Sequence, residues 1–137
     1  MKYSNATNYA LHTMIHLMLQ RESTVGVQEL AEMQHLSPTY LSKILTKLTK
    51  AGLIESTPGA KGGYKISRTK DEISFLDVIH AIEGDTNLFD CSIHHEGCLI
   101  ENVMRQAEEN MKEELASKLL IDIAKEAEAK RETGKLS

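Results

Sequence analysis

Ser37-Pro38-Thr39-Tyr40-Leu41-Ser42-Lys43-Ile44-Leu45-Thr46-Lys47-Leu48-Thr49-Lys50-Ala51-Gly52 is the stretch that decides how this 137-residue chain folds. Ser37 offers a side-chain oxygen to the unpaired amides of a helix start, and Pro38 follows where its missing N–H costs nothing. Leu41, Ile44, Leu45 and Leu48 then recur at spacings of three and four, which is one apolar stripe of a helix. Thr39, Ser42, Lys43, Thr46 and Lys50 fall on the other side, with Lys47 at the flank. Gly52 ends the helix, because glycine takes a positive φ without steric cost.

On the N-terminal side, Asn5 to Gln20 places Leu11, Met14, Ile15, Met18 and Leu19 on one helical face. Thr24 to Val27 reads as a short extended piece, and Gln28 to Gln34 as a brief helix with Leu30 and Ala31 inward. A turn, His35-Leu36-Ser37, joins it to the capped helix. On the C-terminal side, Leu53–Thr57 and Tyr64–Arg68 are rich in strand formers, and Pro58-Gly59-Ala60-Lys61-Gly62-Gly63 between them predicts a hairpin. Ile73 to Gly84 is helical, with Leu76, Ile79 and Ile82 on one side. Helix, short helix, turn, capped helix and glycine-tipped hairpin is the order of a winged helix-turn-helix.

Charge agrees with this order once the chain is divided. Over the whole chain the net charge is −4, but residues 1–70 carry nine basic and four acidic side chains, a net +5. Residues 71–137 carry seven basic and sixteen acidic, a net −9. A phosphate backbone meets the local field, not the mean. Lys43 to Lys70 is the densest basic segment, with Glu55 its single acid. Short hydroxyls and lysines on the outward face of the second helix suit a major groove, and Lys61 among glycines suits close approach to phosphates or a minor groove.

At 41% hydrophobic and 26% charged, the composition is that of one compact domain with an appended element. Apolar runs fall far short of the roughly 18 residues a membrane span needs. Met1-Lys2-Tyr3-Ser4-Asn5 shows no secretory leader, and two cysteines make no disulfide framework, so a cytoplasmic setting is expected. Asn87 to Gly97 is aperiodic and holds Cys91, His94 and His95. Beyond it Leu99, Ile100, Val103, Met104, Ala107, Met111 and Leu115 form a stripe on a helix about 27 Å long. Its stripe can pack on its own domain or on a partner's helix; residues up to 85 already supply a small core, so the partner's copy is expected, with a monomeric fold-back as the alternative. Leu119, Leu120 and Ile123 continue the stripe after a break at Ser117, read as the cap of a last helix, and the polar tail from Glu126 is expected to fray.

The residues Ser37 to Ile44, Leu48, Ala51-Gly52-Leu53-Ile54, Gly59, Gly62-Gly63-Tyr64 and Ile66 resemble the signature of the Rrf-two family of bacterial transcription regulators (IscR-, NsrR- and CymR-like) over nearly the whole chain. The resemblance implies a mainly α winged helix-turn-helix with a β-hairpin wing and a long C-terminal dimerisation helix. It further implies a homodimer that binds double-stranded DNA at palindrome-like operators, usually as a repressor. Residues 1–84 are then the DNA-binding domain, 85–97 a cysteine-containing sensor loop, 98–130 the dimerisation and terminal helices, and 131–137 a flexible tail. Ser37, Thr39, Tyr40, Ser42, Lys43, Thr46 and Lys47 are the expected recognition-helix contacts, and Lys61, Gly62, Gly63 and Tyr64 those of the wing.

Cluster-binding members of the family carry three cysteines before the dimer helix, whereas this chain has only Cys91 and Cys98. A [2Fe–2S] cluster would need them together with imidazole from His12, His94 or His95. As an alternative, His12 beside Leu11 reads as a partly buried packing residue. A thiol switch fits better: a helix start favours the thiolate of Cys98, and Cys91 is placed to resolve its oxidised form into a disulfide. A cysteine–histidine enzyme is set aside, because no acidic orienter or oxyanion donor accompanies Cys91, Cys98, His94 and His95. The glycine-rich loop lacks the spacing of a phosphate-binding loop, and no zinc pattern is present. A winged-helix module that binds protein rather than DNA is the serious competitor.

Overall fold

The computed structural model describes residues 3–20, 23–67, 72–84 and 98–132. Within them run α1 (Asn5–Leu19), α2 (Val27–Gln34), α3 (Pro38–Lys50), β1 (Ile54–Thr57), β2 (Gly63–Ile66), α4 (Phe75–Glu83), α5 (Leu99–Ser117) and α6 (Leu120–Glu132). This is the mainly α winged helix-turn-helix expected from the sequence. Cys91, His94 and His95 of the expected sensor loop, and Arg68 and Lys70 of the basic segment, lie outside the described residues.

The helix-turn-helix is held by its caps. Ser37 Oγ accepts the Tyr40 amide at 3.1 Å, as the Ser-Pro pair predicts. At the end of α2 the Leu36 N–H donates to Ala31 O at 2.9 Å and the His35 N–H to Glu32 O at 3.3 Å. That pair of reversed bonds needs a left-handed residue between helix and turn. His35 takes that conformation, at φ 57°, in a place where glycine is the cheaper choice. The same pattern closes α3, with the Leu53 N–H on Leu48 O at 3.1 Å and Gly52 at φ 77°.

Leu41, Leu45 and Leu48 are fully buried, and with Leu30, Ala31, Met14 and Leu17 they join α1, α2 and α3 in one core. β1 and β2 pair antiparallel, Ile54 opposite Ile66 and Thr57 opposite Gly63. Both isoleucines turn inward and seat the hairpin on the helices. α4 begins with a capping box in which Ser74 Oγ accepts the Asp77 N–H and the Asp77 carboxylate accepts the Ser74 N–H.

The C-terminal region departs from the expectation in two ways. Ser117 is the last residue of α5, its hydroxyl donating to Glu114 O at 2.7 Å, and it does not cap the next helix. Instead a backbone bridge holds the α5–α6 junction to the start of α4, with Phe75 N–H on Lys118 O and Leu120 N–H on Ile73 O, each at 2.9 Å. α6 also runs on to Glu132 rather than fraying from Glu126. The reason is packing: α6 lies along α1 and sends Leu120 and Ala124 into the main core. The last helix therefore completes the N-terminal core, while α5, among the described helices, contributes no side chain to it.

Candidate nucleic-acid interface

The outward face of α3 is exposed at Thr39, Tyr40, Lys43, Thr46 and Lys47, and half-buried at Ser42. These residues were expected together and they lie together, because the leucine stripe orients the helix. Their chemistry differs in detail. Ser37 is engaged as the cap. Thr46 Oγ1 donates to Ser42 O at 2.8 Å, so its hydrogen is already used and it offers lone pairs to a ligand. Lys47 is drawn aside, its Nζ donating to Ile82 O at 3.4 Å at the end of α4. Lys43, one turn earlier, is exposed on the outward face.

Lys47 belongs to a clasp that links α3 to the start of α1 and the end of α4. The Glu83 carboxylate accepts the Ser4 N–H at 2.7 Å, Ser4 Oγ at 2.9 Å and Thr7 Oγ1 at 2.6 Å. Burial acts to raise the Glu83 pKa, but the Thr7 and Ser4 hydrogen bonds and the Lys47 charge outweigh it and hold the carboxyl below its usual range. At neutral pH the clasp is therefore ionised. It joins the start of α1 to the end of α4.

The wing is built more firmly than a two-stranded hairpin. Val25 pairs with Tyr64 in both directions, at 2.9 and 2.8 Å, adding a third extended piece to the sheet. Thr24 Oγ1 donates to Lys61 O at 3.1 Å and so anchors the tip. These two residues were not singled out as part of the site. The signal was present in the short extended reading of Thr24 to Val27, but its partner is about forty residues away.

Gly62 and Gly63 have a reason within the protein itself, beside the approach to DNA expected of them. A Cβ on Gly62 would stand 2.0 Å from Thr57 O, and one on Gly63 would stand 2.6 Å from Val25 O. Gly63 also has φ 151°. Their smallness lets the wing fold against itself and against the Val25 strand, whatever they do toward a ligand. Tyr64 is half-buried at the wing root, and Lys61 is exposed at the tip. Between the wing and the start of α2 opens a cleft of about 780 Å³ lined by Gly26, Gln28, Thr57 and Gly62 among others.

The residues expected to sense are less assembled. Cys98 is the half-buried N-cap residue of α5. His12 is exposed on α1 rather than packed, with Nδ1 at 2.9 Å from Asn8 O. The half-buried histidine of that helix is His16, one turn further on. Burial, then the charges of His12 and Arg131, lower its pKa and keep it neutral. Among the described residues no three of His, Cys, Asp and Glu come together as a metal-holding group. They do not by themselves make a ligand set for an iron–sulfur cluster.

α5 presents Leu99, Ile100 and Val103 at 79%, 69% and 68% exposure on one face. Further along, Met111 and Leu115 line an apolar groove of about 330 Å³ with Phe75 and Ile123. It continues past Phe75 and Ile123 into a second of about 260 Å³ against Leu11 and Ile15 of α1. No helix of the described residues is long and apolar enough to cross a membrane.

Comparison with known proteins places this geometry. The family model Rrf2, described as an iron-dependent transcriptional regulator, matches residues 3–126. CymR, the global cysteine regulator of B. subtilis, superposes with a TM-score of 0.78 at 31% identity, covering 91% of this chain and 97% of that one. T. potens IscR does so at 0.74 and 33%, covering 93% and 88%. The transcriptional regulator IscR of Cereibacter sphaeroides is 33% identical over 90 residues, 64% of this chain. The aligned stretch spans 58% of that relative's length and 65% of a transcriptional regulator from Aquifex aeolicus.

Proposed function

The chain belongs to the Rrf2 (Rrf-two) family of transcriptional regulators, and from that membership we propose that it is a homodimeric, DNA-binding repressor of the bacterial cytoplasm. It reads a palindrome-like operator, α3 entering the major groove and the wing tip at Lys61 lying on the backbone. The family is one of regulators and not of enzymes. The observation that carries the reading is the shared exposure of Thr39, Tyr40, Lys43 and Thr46 on a helix whose other face is locked in the core. A protein-binding winged helix would have no need of the lysines there.

The test is the salt dependence of binding to a duplex that the wild-type protein selects from a randomised library. Lys43→Ala is expected to weaken binding by about 1 kcal/mol, roughly fivefold, and to reduce the slope of log K against log salt by about one. Lys47→Ala is expected to change the slope less, since its ammonium is directed to the α4 carbonyl. Unchanged slopes in both variants would sink the groove assignment.

Dimerisation is assigned to α5. Leu99, Ile100 and Val103 expose a contiguous apolar face at its start, and a two-fold contact through them sets two recognition helices on successive half-sites. Sensing is assigned to Cys98 at the root of that helix, with Cys91 as its resolving partner. A peroxide removes two electrons and the two thiol protons, and a disulfide forms that shifts α5 relative to the DNA-reading domain. Operator complexes of the wild type are expected to dissociate on adding hydrogen peroxide, and those of Cys98→Ser to persist. Equal release from both would show that the signal is read elsewhere.

A further inference from the structure

Tyr40 is the most exposed large aromatic of the described residues, at 38%, and it sits in the first turn of α3, the part of a recognition helix that reaches base edges. Its backbone is held by the Ser37 cap. Its ring is held from outside the helix. Tyr9 of α1 lies with its ring centroid 6.0 Å from that of Tyr40 and its plane at 90° to it. Tyr9 is half-buried and packs on the core, so it is an anchored surface, while Tyr40 projects from it.

A tyrosine on an open helix face exchanges among staggered rotamers, and a ligand that needs one of them bears the cost of selecting it. A perpendicular ring at this separation favours one arrangement, because the positive edge of one ring meets the negative face of the other. We propose that Tyr9 is a positioning residue for operator readout: it holds the Tyr40 ring so that the phenol hydroxyl is set in advance toward the major groove of double-stranded DNA. Tyr9 itself touches no DNA in this arrangement and acts through Tyr40. The inference rests on the DNA-binding reading and adds to it a residue of α1 outside the helix-turn-helix.

The experiment uses the full chain, the duplex selected by the wild type from a randomised library, and the same duplex with its half-sites scrambled. Tyr9→Phe keeps the ring and is expected to leave both affinities within about twofold. Tyr9→Leu is expected to weaken binding to the selected duplex by about three- to tenfold and to the scrambled duplex by less, so that the specificity ratio falls. In a Tyr40→Ala background, Tyr9→Leu is expected to have no further effect. Tyr9→Met is measured alongside, so that a leucine variant that fails to fold leaves the comparison intact. An equal loss on both duplexes, or a loss that persists without Tyr40, would overturn the positioning role and leave Tyr9 a packing residue. A loss in Tyr9→Phe as large as in Tyr9→Leu would overturn it too, since the Tyr9 hydroxyl would then be reading DNA directly. If the wild type selects no duplex, the DNA-binding reading falls and this inference with it, an outcome distinct from the others because no variant is then needed to see it.

Discussion

Gly63→Ala is expected to destabilise the fold by about 3 kcal/mol and to lower the melting temperature by about 10 °C. Two costs coincide at this position. The backbone stands at φ 151°, where side chains other than hydrogen are strained. A methyl group there would also lie 2.6 Å from Val25 O and 2.7 Å from the Val25 carbonyl carbon, which are backbone atoms without rotamers to escape into. Relief requires β2 to move off the Val25 strand, which breaks the paired bonds between Val25 and Tyr64 at 2.9 and 2.8 Å. Gly52→Ala is the control: its φ is also positive, at 77°, but nothing lies within 4 Å of the added Cβ, so it is expected to cost about 1 kcal/mol. Thermal melts followed by circular dichroism decide the matter. Similar melting temperatures for the two variants would mean that the close approach of wing and Val25 does not hold in solution.

The largest effect on function is expected from Leu99→Ser/Ile100→Ser/Val103→Ser, which removes the exposed apolar face of α5. Sedimentation should show the wild type as a dimer and this variant as a monomer. Operator affinity should then drop at least about 100-fold, because two half-sites held in one complex reinforce each other through effective concentration, and single subunits lose that gain. The variant should keep its helical signal, since these three side chains are 79%, 69% and 68% exposed within the subunit and do not support its core. A wild type that sediments as a monomer would refute the assignment, as would a triple variant that remains dimeric.

Particular residues show why some of this was legible in the chain and some was not. α3 was readable because everything that makes it a helix is local: the Ser37 cap, Pro38, four apolar residues at spacings of three and four, and Gly52. Its exposed face followed by subtraction, so Thr39, Lys43 and Thr46 were found without a structure, while Tyr40 was expected there from the family resemblance. The hairpin was readable because its turn is a dense run of proline and glycine between strand formers. The role of Gly62 and Gly63 was not, because glycine signals permission for close approach without saying what approaches. Here it is the protein's own backbone, Thr57 O and Val25 O. Lys47 was legible only as a flank residue; the α4 carbonyl that draws it aside is a contact 35 positions away.

Spacing, caps and composition over short windows were enough to set the order of elements, the leucine face that orients α3 and the division between a basic and an acidic half. It took the assembled fold to place Thr24 and Val25 against the wing, Tyr9 against Tyr40, and α6 on the N-terminal core while the start of α5 is left exposed. Those outcomes depend on contacts between residues about thirty to a hundred positions apart. An apolar stripe states that a helix has a face to bury; it is the position of the other helices that chooses where, and Leu120 is fully buried against α1 and the start of α4 while Leu99 stays 79% exposed.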